Sequence, residues 1–360
     1  MRLPTLTVML LAVLAGCGGS DESSSAPPAT TSTTQAATGA DLSQVKEFLL
    51  DHTAQLSSFT GRFESLAANY SELAKDGVTP AERRRAASLL SDLKQVWTDG
   101  NPYYERVEGI VAGTPSLSEF DVTIDAGSSA SEDPESAVPF DLRLPDGTVL
   151  RQPGNLFNLT EGALWGTLPD HLDEVGGAPA DLNGDGRSSF GELLPDAGFL
   201  EASAGEFRRQ AGALDKAANA WQPTASDAFT SLVVMVPTMS EYFGQWKESR
   251  FVRGSRFTSE SFNVVSRLSD IRDILAGLEV IYRGVEPLAQ TADPAKSGQA
   301  KRELTELKAF VDDLHAQERG GRRYTPEQAD SLGAEAQSRA TAIAGQVSQL
   351  AAQLSIPIEQ

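Results

Sequence analysis

Between positions 181 and 192 the chain reads Asp-Leu-Asn-Gly-Asp-Gly-Arg-Ser-Ser-Phe-Gly-Glu. Alternate positions carry oxygen. Asp181, Asn183 and Asp185 offer side-chain oxygens, Arg187 its backbone carbonyl, and Ser189 a hydroxyl acting directly or through water. Glu192 can close the shell with both carboxylate oxygens, and Gly186 permits the sharp turn such a loop needs. Converging hard oxygens suit a hard cation, and this spacing suits calcium. Little else in the chain offers catalysis. There are 3 histidines (His52, His171 and His315) and 1 cysteine, Cys17. They form no nucleophilic triad and no His-Glu-x-x-His zinc motif, so the chain is not expected to be an enzyme.

The loop is EF-hand-like, with two departures. Ser188 stands where an aliphatic residue usually pairs with a second loop, and no second loop follows. Gly176-Gly177-Ala178-Pro179 upstream cannot form an entering helix. A lone loop of this kind is expected to fix a connection rather than to sense calcium.

Cys17 has a different chemistry. Arg2 is followed by an apolar run from Leu6 to Ala15, too short to span a bilayer. The run ends in Leu14-Ala15-Gly16-Cys17, which resembles the lipobox of bacterial lipoproteins. Residues 1–16 then read as a signal peptide, and Cys17 as the lipidated anchor. Residues 17–40, rich in Ser, Thr, Pro and Ala, read as a disordered tether. The expected location is extracytoplasmic, on the outer membrane or on the outer face of the cytoplasmic membrane. Gly18 after the cysteine is not a retention aspartate. With no cysteine left for a disulfide, the body must be held by core burial. A formal net charge of −20 disfavours nucleic acid and anionic membrane surfaces and favours cations.

The elements that must position this chemistry read as helices. Val45, Leu49, His52, Leu56, Phe59, Phe63, Leu66, Tyr70 and Leu73 recur at steps of three and four, the seam of a helix packed on others. Gly77 and Pro80 end it. A second helix carries Leu89, Leu90, Leu93 and Trp97 and is expected to break at Asp99-Gly100-Asn101-Pro102. A third, short one carries Tyr104, Val107 and Val111. From about 113 to 154 the composition turns to Ser, Pro, Asp and Gly. Val138–Leu144, the turn Pro145-Asp146-Gly147 and Thr148–Leu150 there predict a β-hairpin. Helical seams return with Leu200, Phe207, Leu214 and Trp221, then with Phe229, Leu232, Val236, Met239, Phe243 and Trp246, kinked at Pro237. Another runs from Phe262 and Val265 through Leu268, Leu275, Leu278, Tyr282 and Val285. The last starts at Thr325-Pro326, an N-cap followed by proline at the first helical position, and carries Ile343, Val347, Leu350 and Leu354. The expected fold is all-α. A first bundle spans 41–180 with the hairpin insertion, the loop 181–192 follows, and a second bundle spans 193–360.

Several segments, in order, resemble imelysin-like proteins, including the EfeO/EfeM type associated with bacterial iron uptake. They are Tyr104-Glu105-Arg106-Val107-Glu108, Ile124-Asp125-Ala126, Leu156–Gly166, Phe207-Arg208-Arg209 leading to Trp221, and Ser266-Arg267-Leu268-Ser269-Asp270 with Gly277 and Tyr282. The resemblance implies two packed four-helix bundles and a metal-binding cleft, here made of Glu105, Glu108, Asp125, Asn158 and Glu161. Asn158 stands where the family carries histidine in a His-x-x-Glu pair, so the implied site is oxygen-only and harder than the family's. Iron or another divalent or trivalent metal is the implied ligand, and an iron permease or other uptake component the implied partner. Two histidines can approach the cleft: His52, otherwise a core residue on its helix seam, and His171, in a loop after Pro169. His315 is expected on the surface. Two readings follow: a metal-binding uptake lipoprotein, or a non-catalytic scaffold lipoprotein with a degenerate cleft.

Overall fold

Long apolar seams dictate long helices, and the computed structural model, which describes residues 39–359, is built from them. Cys17, the signal peptide and nearly all of the tether lie outside the described residues. Helix α1 (Ser43–Ala74) buries Val45, Leu49, His52, Leu56, Phe59, Phe63 and Tyr70. Leu66 and Leu73 on the same seam are half-buried. Helix α2 (Arg83–Val111) differs from expectation: it runs unbroken through Asp99–Pro102. Proline removes one backbone donor and usually breaks a helix. Here Trp97 and Tyr104, seven residues apart, are both fully buried on one side of α2 and anchor it before and after Pro102. Phe59 lies against Gly100, where a Cβ would sit 2.2 Å from its ring. Tertiary packing thus outweighs the local break signal.

After α2 the chain forms α3 (Ser118–Asp121), which continues into one π-helical turn, Val122–Ala126. The insertion holds the expected hairpin. Strand β1 (Leu142–Arg143) pairs antiparallel with β2 (Val149–Leu150), Leu142 opposite Leu150. Helix α4 (Leu156–Trp165) is capped by Asn155, whose side chain accepts from the Asn158 N–H, and ends at Gly166 in the left-handed region. Strands β3 (Ala178–Pro179) and β4 (Leu193–Leu194) pair antiparallel and bracket the 181–192 loop.

The rest is helical: α5 (Ala197–Ala220), α6 (Ala225–Met235), α7 (Met239–Glu248), α8 (Arg250–Arg253), α9 (Arg267–Ala292), α10 (Pro294–Arg319) and α11 (Pro326–Gln353). A short 3-10 turn holding Pro237 separates α6 from α7, the kink expected there. Thr325 caps α11 with a reciprocal capping box through Gln328. Two corrections follow. Phe262 and Val265 precede α9 in a loop, because Ser266 caps the helix at Leu268. Helix α10 was not anticipated; its buried seam of Ala300, Leu304, Leu307, Val311 and Leu314 is interleaved with charged residues.

The fold is all-α with small β elements. Helix α1 packs along α2 and α5, and α4 packs on α5. Helices α6, α7, α9, α10 and α11 pack on one another. Helix α5, expected in the second bundle, therefore lies against the first helix. The contact of α2 with α9 sets the site. A Cβ at Gly277 would meet the Arg106 carbonyl oxygen at 2.3 Å, so glycine there lets the two backbones touch. No helix among the described residues is long and apolar enough to cross a membrane.

Candidate cation-binding cleft

Glu105 and Glu108 are three apart on α2 and share one face of it. Asp125 comes from the π-helical turn, an irregularity often found at functional sites. Each contributes a carboxylate oxygen within 4.8 Å of the others, and all three residues are buried. They meet beside a cavity of about 560 Å³ that is also lined by Asp121, Asn158, Tyr242 and Arg267. Glu108 and Asp125 line this cavity, whereas Glu105 lies behind them.

The centre of the cluster holds a cation already. Arg267, at the first turn of α9, is 2 % exposed. Its Nη1 lies 3.3 Å from Glu105 Oε2 and 3.6 Å from Asp270 Oδ2. Its Nη2 lies 3.6 Å from Asp125 Oδ2 and 3.9 Å from Glu108 Oε1. Nε donates to Gln245 Oε1 at 2.9 Å. The rings of Phe262 and Tyr242 lie 4.0 and 4.3 Å from the guanidinium carbon.

One guanidinium does not satisfy this many carboxylates. Glu108 Oε1 accepts from the Tyr242 hydroxyl at 2.8 Å, but Glu108 Oε2 and Asp125 Oδ1 are buried without a hydrogen-bond donor among the described residues. Asp121 Oδ1 accepts from the Tyr104 hydroxyl at 2.6 Å. Burial, reinforced by neighbouring carboxylates, pushes Glu105 and Asp121 well above the ordinary carboxylate range. Burial likewise raises Asp270, against the pull of Arg267. Burial raises Asp125 to about 7, again with Arg267 opposing. The cleft therefore shares protons near neutral pH, and a cation with free coordination positions would relieve it.

Asn158 lines the cavity from α4, half-buried. Glu161 is buried and turned elsewhere: its Oε1 accepts from the Asn263 N–H at 3.2 Å, and burial raises it to about 7. It does not line the cavity and is not among the three converging carboxylates. His52 is a core residue whose Nδ1 lies 2.8 Å from the Phe48 carbonyl. His171 stays outside, exposed, with Nε2 3.3 Å from the Pro153 carbonyl. His315, expected on the surface, is buried beside Arg272. Asp121, Tyr242, Gln245, Arg267 and Asp270 were not foreseen as parts of the site. Only the Ser266–Asp270 segment carried a signal, as family resemblance without chemistry.

The 181–192 loop has a different geometry. Asp181 accepts from the N–H groups of Gly184, Asp185 and Gly186 at 2.6, 3.2 and 2.9 Å. Asn183 accepts from Asp185, and Asp185 from Arg187. Glu192 reaches back to the Asn183 N–H and to the Ser189 N–H and hydroxyl. These bonds hold Asp181 and Glu192 below the usual carboxylate range. The Phe190 ring packs under Arg250 at 3.6 Å and against Phe257 at 5.8 Å.

Fold and cleft together define an all-helical protein organised around a buried acidic pocket at a helix–helix contact. The chain belongs to the imelysin family: the family's sequence profile, described as Imelysin, matches residues 62–356. A search of the curated proteins finds no match.

Proposed function

We propose that this imelysin-family protein is a lipid-anchored extracytoplasmic protein that binds a metal cation in the cleft, in the service of iron uptake. The observation that carries the binding is the pair of buried, donorless oxygens, Glu108 Oε2 and Asp125 Oδ1, which belong to two residues that line the cavity. A buried carboxylate oxygen left unpaired costs free energy that a bound cation recovers. The donor set is oxygen throughout, with Asp121 and the Asn158 amide available on the same wall, so it fits a hard cation. The metal is cargo, and no catalytic step is part of the reading.

The test is calorimetric titration with iron, zinc and calcium in a Glu192→Ala background, which silences the loop. Wild-type cleft residues should bind one hard cation. Asn158→His restores the family's nitrogen ligand and should strengthen zinc and iron binding; with Glu192 intact, the same change should leave calcium at the loop unaffected. Absence of any binding in both proteins sinks the reading. The anchor has its own test: Cys17→Ser should release the protein from membranes, and retention through a salt wash would refute lipidation.

A second reading is favoured by Arg267. A permanent internal guanidinium suits a scaffold protein whose cleft has lost its metal, stabilised by calcium at the 181–192 loop. The alternate spacing of oxygen-bearing residues from Asp181 to Glu192 supports the calcium part. The same titration separates the two readings.

A further inference from the structure

A metal drawn into the meeting point of Glu105, Glu108 and Asp125 would have to displace Arg267. That side chain is held on every side. Two aromatic rings, of Tyr242 and Phe262, pack against the guanidinium, and Gln245 fixes Nε. Phe262, one of the two rings, sits at φ 57, a left-handed backbone rare for an aromatic residue. An arginine does not lose its proton in a protein, so the positive charge is permanent.

Arg267 also divides the carboxylate oxygens into two sets. Glu105 Oε2, Glu108 Oε1 and Asp125 Oδ2 face the guanidinium. Glu108 Oε2 and Asp125 Oδ1 are left over, on residues that line the cavity. An incoming ion thus finds two free carboxylate oxygens and cannot be enclosed by all three carboxylates. A cavity of about 560 Å³ has room for several waters, each taking about 30 Å³. The rest of its shell can remain water.

Resting on the cation-binding reading above, we propose that Arg267 is the specificity-determining residue of the cleft, shifting its selectivity from a trivalent toward a partly hydrated divalent cation. Repulsion from the fixed guanidinium scales with the charge of the ion, so a trivalent ion is disfavoured half again as strongly as a divalent one. Arg267 lines the cavity, and Asp270, whose Oδ2 is 3.6 Å from Arg267 Nη1, does not.

The experiment titrates the full chain, carrying Glu192→Ala, with manganese(II) and with terbium(III) as the trivalent probe. Arg267→Gln should raise manganese affinity roughly tenfold and terbium affinity roughly thirtyfold, the ratio that follows from charge scaling. Arg267→Lys keeps the charge and should keep the wild-type ratio of the two affinities. Should Arg267→Gln fail to fold, the pair Arg267→Gln with Asp270→Asn removes the guanidinium together with a carboxyl group that faces it and should shift the ratio in the same direction. Binding in wild type with a ratio unmoved by these neutral variants overturns the assignment to Arg267. A ratio shifted as far by Arg267→Lys as by Arg267→Gln also overturns it, because charge would not be the cause. No binding of either ion by wild type or variants overturns the underlying cation-binding reading instead.

Discussion

The cleft and the 181–192 loop are both built from carboxylates, and they treat them in opposite ways. In the loop, backbone N–H groups hold Asp181, and the Ser189 hydroxyl and N–H hold Glu192, below the usual carboxylate range and so in their charged forms. In the cleft, burial pushes Glu105, Asp121, Asp125 and Asp270 toward their protonated forms, and the opposing charge comes from Arg267 on another helix. One acidic group is satisfied by its own loop. The other is under-satisfied and depends on a contact across 162 positions of sequence. Local carboxylates thus cost the fold little, whereas the buried ones are a liability unless they bind something.

The largest expected effect removes the cleft's internal cation. Arg267→Leu leaves several buried carboxylates uncompensated and should destabilise the protein by about 3–5 kcal/mol in denaturant titration at neutral pH. The matching change in the loop, Arg187→Leu at an exposed position, should cost less than about 0.5 kcal/mol. Equal costs would erase the distinction between the regions.

A middle-sized effect is on pH. Asp125 is raised from 3.8 to about 7 in the folded protein. A raised folded pKa means the folded state holds a proton that the unfolded state has lost. Stability without metal is therefore greatest below pH 3.8, as far as Asp125 is concerned, and declines as pH rises toward about 7. Glu161 acts in the same direction. Added divalent ion should offset the decline, and should do so more at pH 8 than at roughly pH 5, because protons compete for the same oxygens. Thermal melts with and without manganese across this range check the sign. A metal-induced gain that shrank as pH rose would be incompatible with the cleft described here.

The smallest effect belongs to the loop. A lone calcium loop should bind in the weak range of extracellular modules, about 10⁻⁴ to 10⁻³ M. Millimolar calcium should then raise the melting temperature modestly by mass action. Glu192→Ala should abolish the loop's share of that rise and otherwise leave stability nearly unchanged, since the Glu192 side chain hydrogen-bonds to Asn183 and Ser189, both within the loop. A calcium response undiminished by Glu192→Ala would place calcium in the cleft instead.

Much of this molecule is settled by short stretches of its own sequence. The seam of α1, the Thr325 cap of α11, the kink at Pro237, the hairpin around Asp146-Gly147 and the turn chemistry of the loop all rest on residues a few positions apart. Periodicity, capping and turn geometry are local physics, so the sequence alone determines them. The same logic failed where distant packing decided the outcome. Helix α2 passes through Pro102 because Trp97 and Tyr104 are buried on either side of it, and α10 forms on a seam diluted by charge. The cleft is legible only in part for the same reason. Glu105 and Glu108 share a helix face by spacing alone. That they meet Asp125, that Glu161 turns to Asn263, and that Arg267 fills the centre depend on α9 lying directly on α2 at Gly277. Only the folded chain buries that guanidinium among the carboxylates so that its charge matters, because in water the same groups would be screened and independent.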